Sequence, residues 1–181
     1  MTATRIRFLA TLLLLVVAGC ASRPPPGTVA GLPELSCVPF ARALSGVALR
    51  GDAWRWWAAA DAYGRSRAPQ PGAVLVLAKN SRLPQGHLAV VLRLVDARTI
   101  RVAHANWGNR GDKGRVESDV PVVDVSPAND WSLVAVWYGP AGALGSGRYP
   151  VLGFVLPPVP TDPARLAADV APAARRAAAG A

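Results

Sequence analysis

The sequence predicts an α+β fold, and three observations predict it. Two helix-patterned stretches come first, and a run of β-branched, apolar segments follows them. Short turn signals separate neighbouring segments, one of them close enough for a hairpin. No internal repeat breaks the chain into smaller units.

Residues 1–19 read as an export signal. Arg5 and Arg7 supply its positive start, and Phe8 to Ala18 is apolar. That run is shorter than the about 20 residues that a membrane-spanning helix needs. It ends in Val17-Ala18-Gly19-Cys20, which resembles a bacterial lipobox. The resemblance implies cleavage before Cys20, a lipid on its sulfur, and attachment to a membrane. Several acyl chains would anchor firmly, because each buried CH₂ contributes about 0.8 kcal/mol. Ala21, following the cysteine, is similar to a sorting signal for the periplasmic face of the outer membrane. Residues 20–34 hold Pro24-Pro25-Pro26 and predict an extended tether.

A globular domain is expected over 35–156. The first helix is predicted over 37–46, with Pro39 in its first turn and Gly46 at its end. Phe40, Ala43 and Leu44 then share one face. A second helix is predicted over 53–62 behind the candidate cap Asp52, with Trp54, Trp57 and Ala58 on one face. Strands are predicted over 73–78, 88–95, 99–106, 132–138 and 150–156, with Asp96-Ala97-Arg98 as a hairpin turn. The polar, Gly- and Asp-rich stretch 107–130 predicts a long loop. The Ala-, Pro- and Arg-rich segment 157–181 predicts a disordered tail, with a short helix over 163–170 as the alternative.

The net charge of +9 favours an anionic neighbour. The arginines are scattered, with no basic run interleaved with aromatics, so nucleic acid is not an expected partner. Cell-wall carboxylates and lipid head groups are the expected anionic surroundings. The chain has only two cysteines and two histidines. With Cys20 lipidated, Cys37 has no partner for an intrachain disulfide, and a free thiol in an oxidising compartment calls for a functional account. One thiol and two imidazoles lack the close-spaced ligand pairs of zinc sites, so no metal and no cofactor are expected.

Cys37 opens the first predicted helix, where unpaired N–H groups favour a thiolate and can hold an oxyanion. His87 stands at the start of a strand. His104 and Asn106, two residues apart on the next strand, point to one face, and either could orient His87. Core packing of a small thiol is the bland account of Cys37 alone, and a turn residue is the bland account of Asn106.

The blocks Ser36-Cys37-Val38-Pro39-Phe40, Gly51-Asp52-Ala53-Trp54, Pro71-Gly72-Ala73-Val74, Gly86-His87-Leu88-Ala89 and His104-Ala105-Asn106-Trp107 occur in this order. Together they resemble the CHAP family, the cysteine, histidine-dependent amidohydrolases/peptidases. The resemblance covers roughly 35–140. It implies a papain-like fold, with N-terminal helices packed on an antiparallel sheet. It implies hydrolysis of amide bonds, most often in peptidoglycan, with Cys37 as nucleophile and His87 as general base and acid. Many members carry an acidic residue where this chain has His104, so the third role is divided here between His104 and Asn106. Trp107 and Trp54 are the expected substrate-binding aromatics, although core packing competes for each. The expected activity is that of an envelope lipoprotein hydrolysing peptidoglycan. A catalytically weak wall-binding domain and an amidase acting on small soluble amides are the alternatives.

Overall fold

A computed structural model of the chain describes residues 27–109 and 113–180. The export signal, Cys20 and the first part of the tether lie outside the described residues. Helix α1 spans Cys37–Ser45, and a single 3₁₀ turn over Ala53–Arg55 leads into the short helix α2, Trp56–Ala59. Eight strands follow: β1 Arg65–Ser66, β2 Val74–Leu77, β3 His87–Leu94, β4 Thr99–Ala105, β5 Val116–Asp124, β6 Leu133–Tyr138, β7 Ala143–Leu144 and β8 Tyr149–Val155. Helix α3, Pro163–Ala179, follows them.

All described strand pairings are antiparallel, in the order β1-β8-β2-β3-β4-β5-β6-β7. β8 also pairs with β6, through Leu133 opposite Pro150 and Val134 opposite Tyr149. Strands β2, β3, β4, β5, β6 and β8 therefore close on themselves as a barrel. Closure removes most of the open edges at which such a sheet would aggregate.

Two cores result from the alternation of side chains along these strands. Ala73, Leu75, Leu77, Ala89, Val91, Ile100, Val102, Val120, Val122, Val134, Val136 and Phe154 fill the barrel. Val74, Val76, Leu88, Val90, Leu92 and Ala103 face outward and pack with Phe40, Ala41 and Leu44 of α1 and Leu166, Val170 and Ala174 of α3. β2 is buried on both faces, which explains its uninterrupted apolar run.

Four expectations are corrected. The tail 157–181 contains α3. Asp162 caps its N-terminus by accepting from the N–H groups of Ala164 and Arg165, and Pro163 suits its first turn. Leu166, Val170, Ala173, Ala174 and Ala177 form a buried stripe on one side of α3. The Ala- and Arg-rich composition concealed that period. The described part of the tether is not free: Val29 N–H donates to Val116 O, and Gly27 O accepts from Ser118 N–H. The stretch 107–130 contains β5, whose Pro121 and polar residues weakened its strand signal. The helix expected over 53–62 is only two short turns. Its buried positions are Ala53, Trp56 and Ala60, while Ala58 is exposed and Trp54 and Trp57 are half-buried.

Candidate active site

The site gathers at one end of the barrel, where β2 and β4 end and β3 and β5 begin. Leu77, the last residue of β2, lies opposite His87, the first of β3. His104, the sixth of seven residues in β4, lies opposite Glu117, the second of β5. Gly86 permits the tight entry into β3. Its φ is +71°, and a Cβ there would lie 2.7 Å from both Leu77 O and Trp54 N. The Trp54 N–H donates to Gln85 O, so the 3₁₀ turn is fastened directly beside His87.

Cys37 is the first residue of α1 and is 9% exposed. The preceding Ser36 is extended and makes no side-chain capping bond, so the first-turn N–H groups remain free for another acceptor. The backbone amides of Leu88, Cys37 and Val38 face the sulfur and favour its anion. Burial outweighs them and pushes the thiol above its ordinary value. His87 is likewise held well below its ordinary value, by burial first and by the neighbouring His104 second. Burial thus disfavours the charged form of both groups. Among the described residues no hydrogen bond joins Cys37 to His87.

The imidazoles form a chain. His87 Nε2 lies 3.1 Å from His104 Nδ1, and His104 Nε2 lies 3.0 Å from Glu117 Oε2. All three side chains are buried, His104 completely. The Trp107 ring packs on both imidazoles, at 4.8 Å from His87 and 5.6 Å from His104 between ring centroids. Its indole N–H donates to Trp137 O, and Tyr149 meets its face edge-on. Among the described residues, no cluster of three or more His, Cys, Asp or Glu side chains is arranged to hold a metal ion.

The expected site residues separate into two groups. His87, His104 and Trp107 come together, and Cys37 reaches the backbone of Leu88, the residue after His87. Asn106 does not join them. Its φ is +62°, its Oδ1 accepts from Gly114 N–H at 3.0 Å, and its own N–H donates to Arg115 O. Asn106 thus pins the β4–β5 connection, and the bland turn account describes its contacts. Trp107 is only 7% exposed, so it is a wall behind the histidines and offers little surface to a substrate. Trp54 is half-buried, with Arg55 and Lys79 stacked over its ring.

Glu117 was missed by reading the sequence. In an uninterrupted strand, 117 would face away from 120 and 122. The register slips between Val102 and His104, and Asp119 takes a φ of +52°. This bulge turns Glu117 to the same side as His104. The only local sign was the polar run Glu117-Ser118-Asp119 ahead of Val120-Pro121-Val122.

No curated protein matches the chain. Residues 27–106 match the family model described as the CHAP domain. The matched span holds Cys37, His87, His104 and Asn106 and ends before Glu117. With a cysteine at a helix start and a histidine at the adjoining strand start inside that match, residues 27–106 are identified as a CHAP domain.

Proposed function

We propose that this chain is an envelope lipoprotein whose CHAP domain hydrolyses amide bonds of peptidoglycan through Cys37 and His87, on a papain-like scaffold. The domain type is associated with amidohydrolase and peptidase activity. The observation that carries the reading is the placement of the Cys37 sulfur against the amide of Leu88, next to a buried histidine.

The proposed chemistry starts from a neutral thiol and a neutral imidazole, the forms that burial favours. His87 takes the thiol proton as the Cys37 sulfur attacks the amide carbonyl carbon, forming a C–S bond. Backbone N–H groups at the start of α1 stabilise the oxyanion. His87 returns the proton to the leaving nitrogen as the C–N bond breaks, which leaves a thioester. Water then adds with His87 as base, the C–S bond breaks, and acid and thiol are released. Lipid attachment at Cys20 supplies proximity to the wall, and the basic charge suits its carboxylates.

The test is mass spectrometry of purified sacculi incubated with the full chain in detergent, with Cys37→Ala as control. Cys37-dependent release of wall peptides supports the reading, and the fragment masses identify the bond cut. Equal release by both proteins, or none, overturns it. One observation favours a second reading, a catalytically weak wall-binding domain. Burial raises the thiol, and no hydrogen bond ties it to His87. That reading requires sacculus binding that survives Cys37→Ala unchanged.

A further inference from the structure

The reaction as proposed assigns no part to Glu117, although it is 5% exposed and bonded into the histidine chain. Its chemistry constrains where the protons lie. An ionised carboxylate can only accept, so the contact at 3.0 Å requires His104 to carry its proton on Nε2. With that ring carrying one proton, Nδ1 offers a lone pair. His87 Nε2, 3.1 Å away, must donate to it. This leaves the His87 lone pair on Nδ1, the one ring nitrogen with no hydrogen bond among the described residues. The reverse arrangement sets the His104 Nε2 lone pair against the carboxylate, two buried acceptors face to face. It also places a proton on His87 Nδ1 and removes the base.

The geometry points to Glu117 as a positioning residue that sets the tautomer of His104 and, through it, that of His87. The inference rests on the proposed hydrolysis for its purpose, but not for its proton assignment. The backbone around Glu117 is held to this task. Thr28 bridges to Glu117, Ser118 N–H donates to Gly27 O, and Val29 N–H donates to Val116 O. The bulge at Asp119 aims the side chain inward, and Arg93 and Arg101 outside bind the exposed Asp119 carboxylate. The Trp107 ring lies against both imidazoles, with Tyr149 of β8 packed on Trp107, and the Cys37 thiol of α1 meets the amide of Leu88, the residue after His87. Among these contacts Glu117 is the acidic partner of the histidine chain.

With two histidines in the chain, a ¹⁵N-histidine spectrum has four ring nitrogens to assign. Measured on the full chain in detergent at neutral pH, it should show the proton on Nε2 of both rings. A proton on His104 Nδ1, alone or together with Nε2, overturns the proposal. Glu117→Leu removes the acceptor and should shift the His104 proton to a mixture of both nitrogens. Turnover should fall on the order of 10- to 100-fold through kcat, with KM little changed, because a mis-set tautomer disables the base. Glu117→Gln keeps an acceptor and should retain the wild-type tautomer. A Leu variant that folds and leaves the spectrum unchanged also overturns the proposal. If the Leu variant does not fold, the wild-type spectrum still decides. The spectrum needs no substrate, so failure of the peptidoglycan reading leaves this result standing, and the converse holds as well.

Discussion

The two faces of β3 differ in what they bury. Leu88, Val90 and Leu92 point to the helix layer, where Phe40, Leu44 and the stripe of α3 enclose them in apolar contact. His87, Ala89 and Val91 point the other way, into the barrel, and the first of them begins a buried polar chain. Cys37, the proposed nucleophile, belongs to the helix layer, and His87, its proposed base, to the barrel. The comparison teaches that the site sits where the two cores meet, at a strand end, because only there can a helix N-terminus reach the inward face of the sheet. Unpaired polar groups are costly in an apolar layer, and the histidines are buried in the barrel as a hydrogen-bonded chain ending on a carboxylate.

Breaking each core separately tests this division. Phe40→Ala in the helix layer and Phe154→Ala in the barrel should each cost about 3–5 kcal/mol, since both side chains are fully enclosed. Urea denaturation measures the loss. Only Phe40→Ala should also speed alkylation of Cys37, because Phe154 packs near Trp131, away from the site. Faster alkylation in both variants would show that the layers act as one.

The junction itself is the next target. Gly86→Ala forces a side chain into a left-handed conformation and against two backbone atoms at 2.7 Å. We expect a loss of about 2 kcal/mol or more, with turnover falling as His87 shifts. A variant with wild-type stability would remove the close approach of Trp54 from the account of the site.

A pH series sharpens the comparison further. His87 is held below its ordinary value of 6.5, so below that pH the unfolded chain binds a proton that the folded chain refuses. Stability should therefore fall as pH drops below 6.5, and His87 adds nothing to the pH dependence above it. The gap between unfolding free energies at neutral and mildly acidic pH should narrow in His87→Gln. The Cys37 thiol is raised, so its alkylation should keep accelerating beyond the ordinary thiol range. A plateau at or below that range would mean the sulfur is less shielded than its burial implies.

The smallest effect belongs to the outside of the helix layer. Arg176 pairs with Asp169 at 2.7 Å and donates to Ala43 O, tying α3 to α1. Both side chains are well exposed, so Arg176→Ala should cost less than about 1 kcal/mol by thermal unfolding. A larger loss would make this bond, and not the apolar stripe, the main tie between the helices.

Much of the strand order was legible because the local signals agreed with the final environment. β2 to β4 carry β-branched residues between Gly, Pro and Asp turns, and β6 and β8 are apolar runs. Helix α1 was legible from Pro39, Gly46 and its apolar face. β5 was not, because a bulge and a proline break its period and the polar run Glu117-Ser118-Asp119 lies near its start. The helix at 163–179 was legible only as a possible short helix over 163–170, because its stripe is built largely of small residues: alanines contribute to a buried stripe only when a partner helix lies close enough to cover them. Asn106 and His104 were indistinguishable in sequence, since both lie two apart near the end of one strand. A left-handed φ at Asn106 turned its side chain onto Gly114 and left His87 to His104.

Cys37, His87 and the types of α1, β2 to β4, β6 and β8 were therefore determined by the chain itself. Cys37 at a helix start and His87 at a strand start follow from local preferences that act within a few residues. Tertiary structure alone decided the rest: the closure of the barrel through β8 and β6, the docking of 27–35 along β5, and the meeting of His104 with Glu117. Those depend on register between distant segments, and a single extra residue at a bulge reverses which way a side chain points.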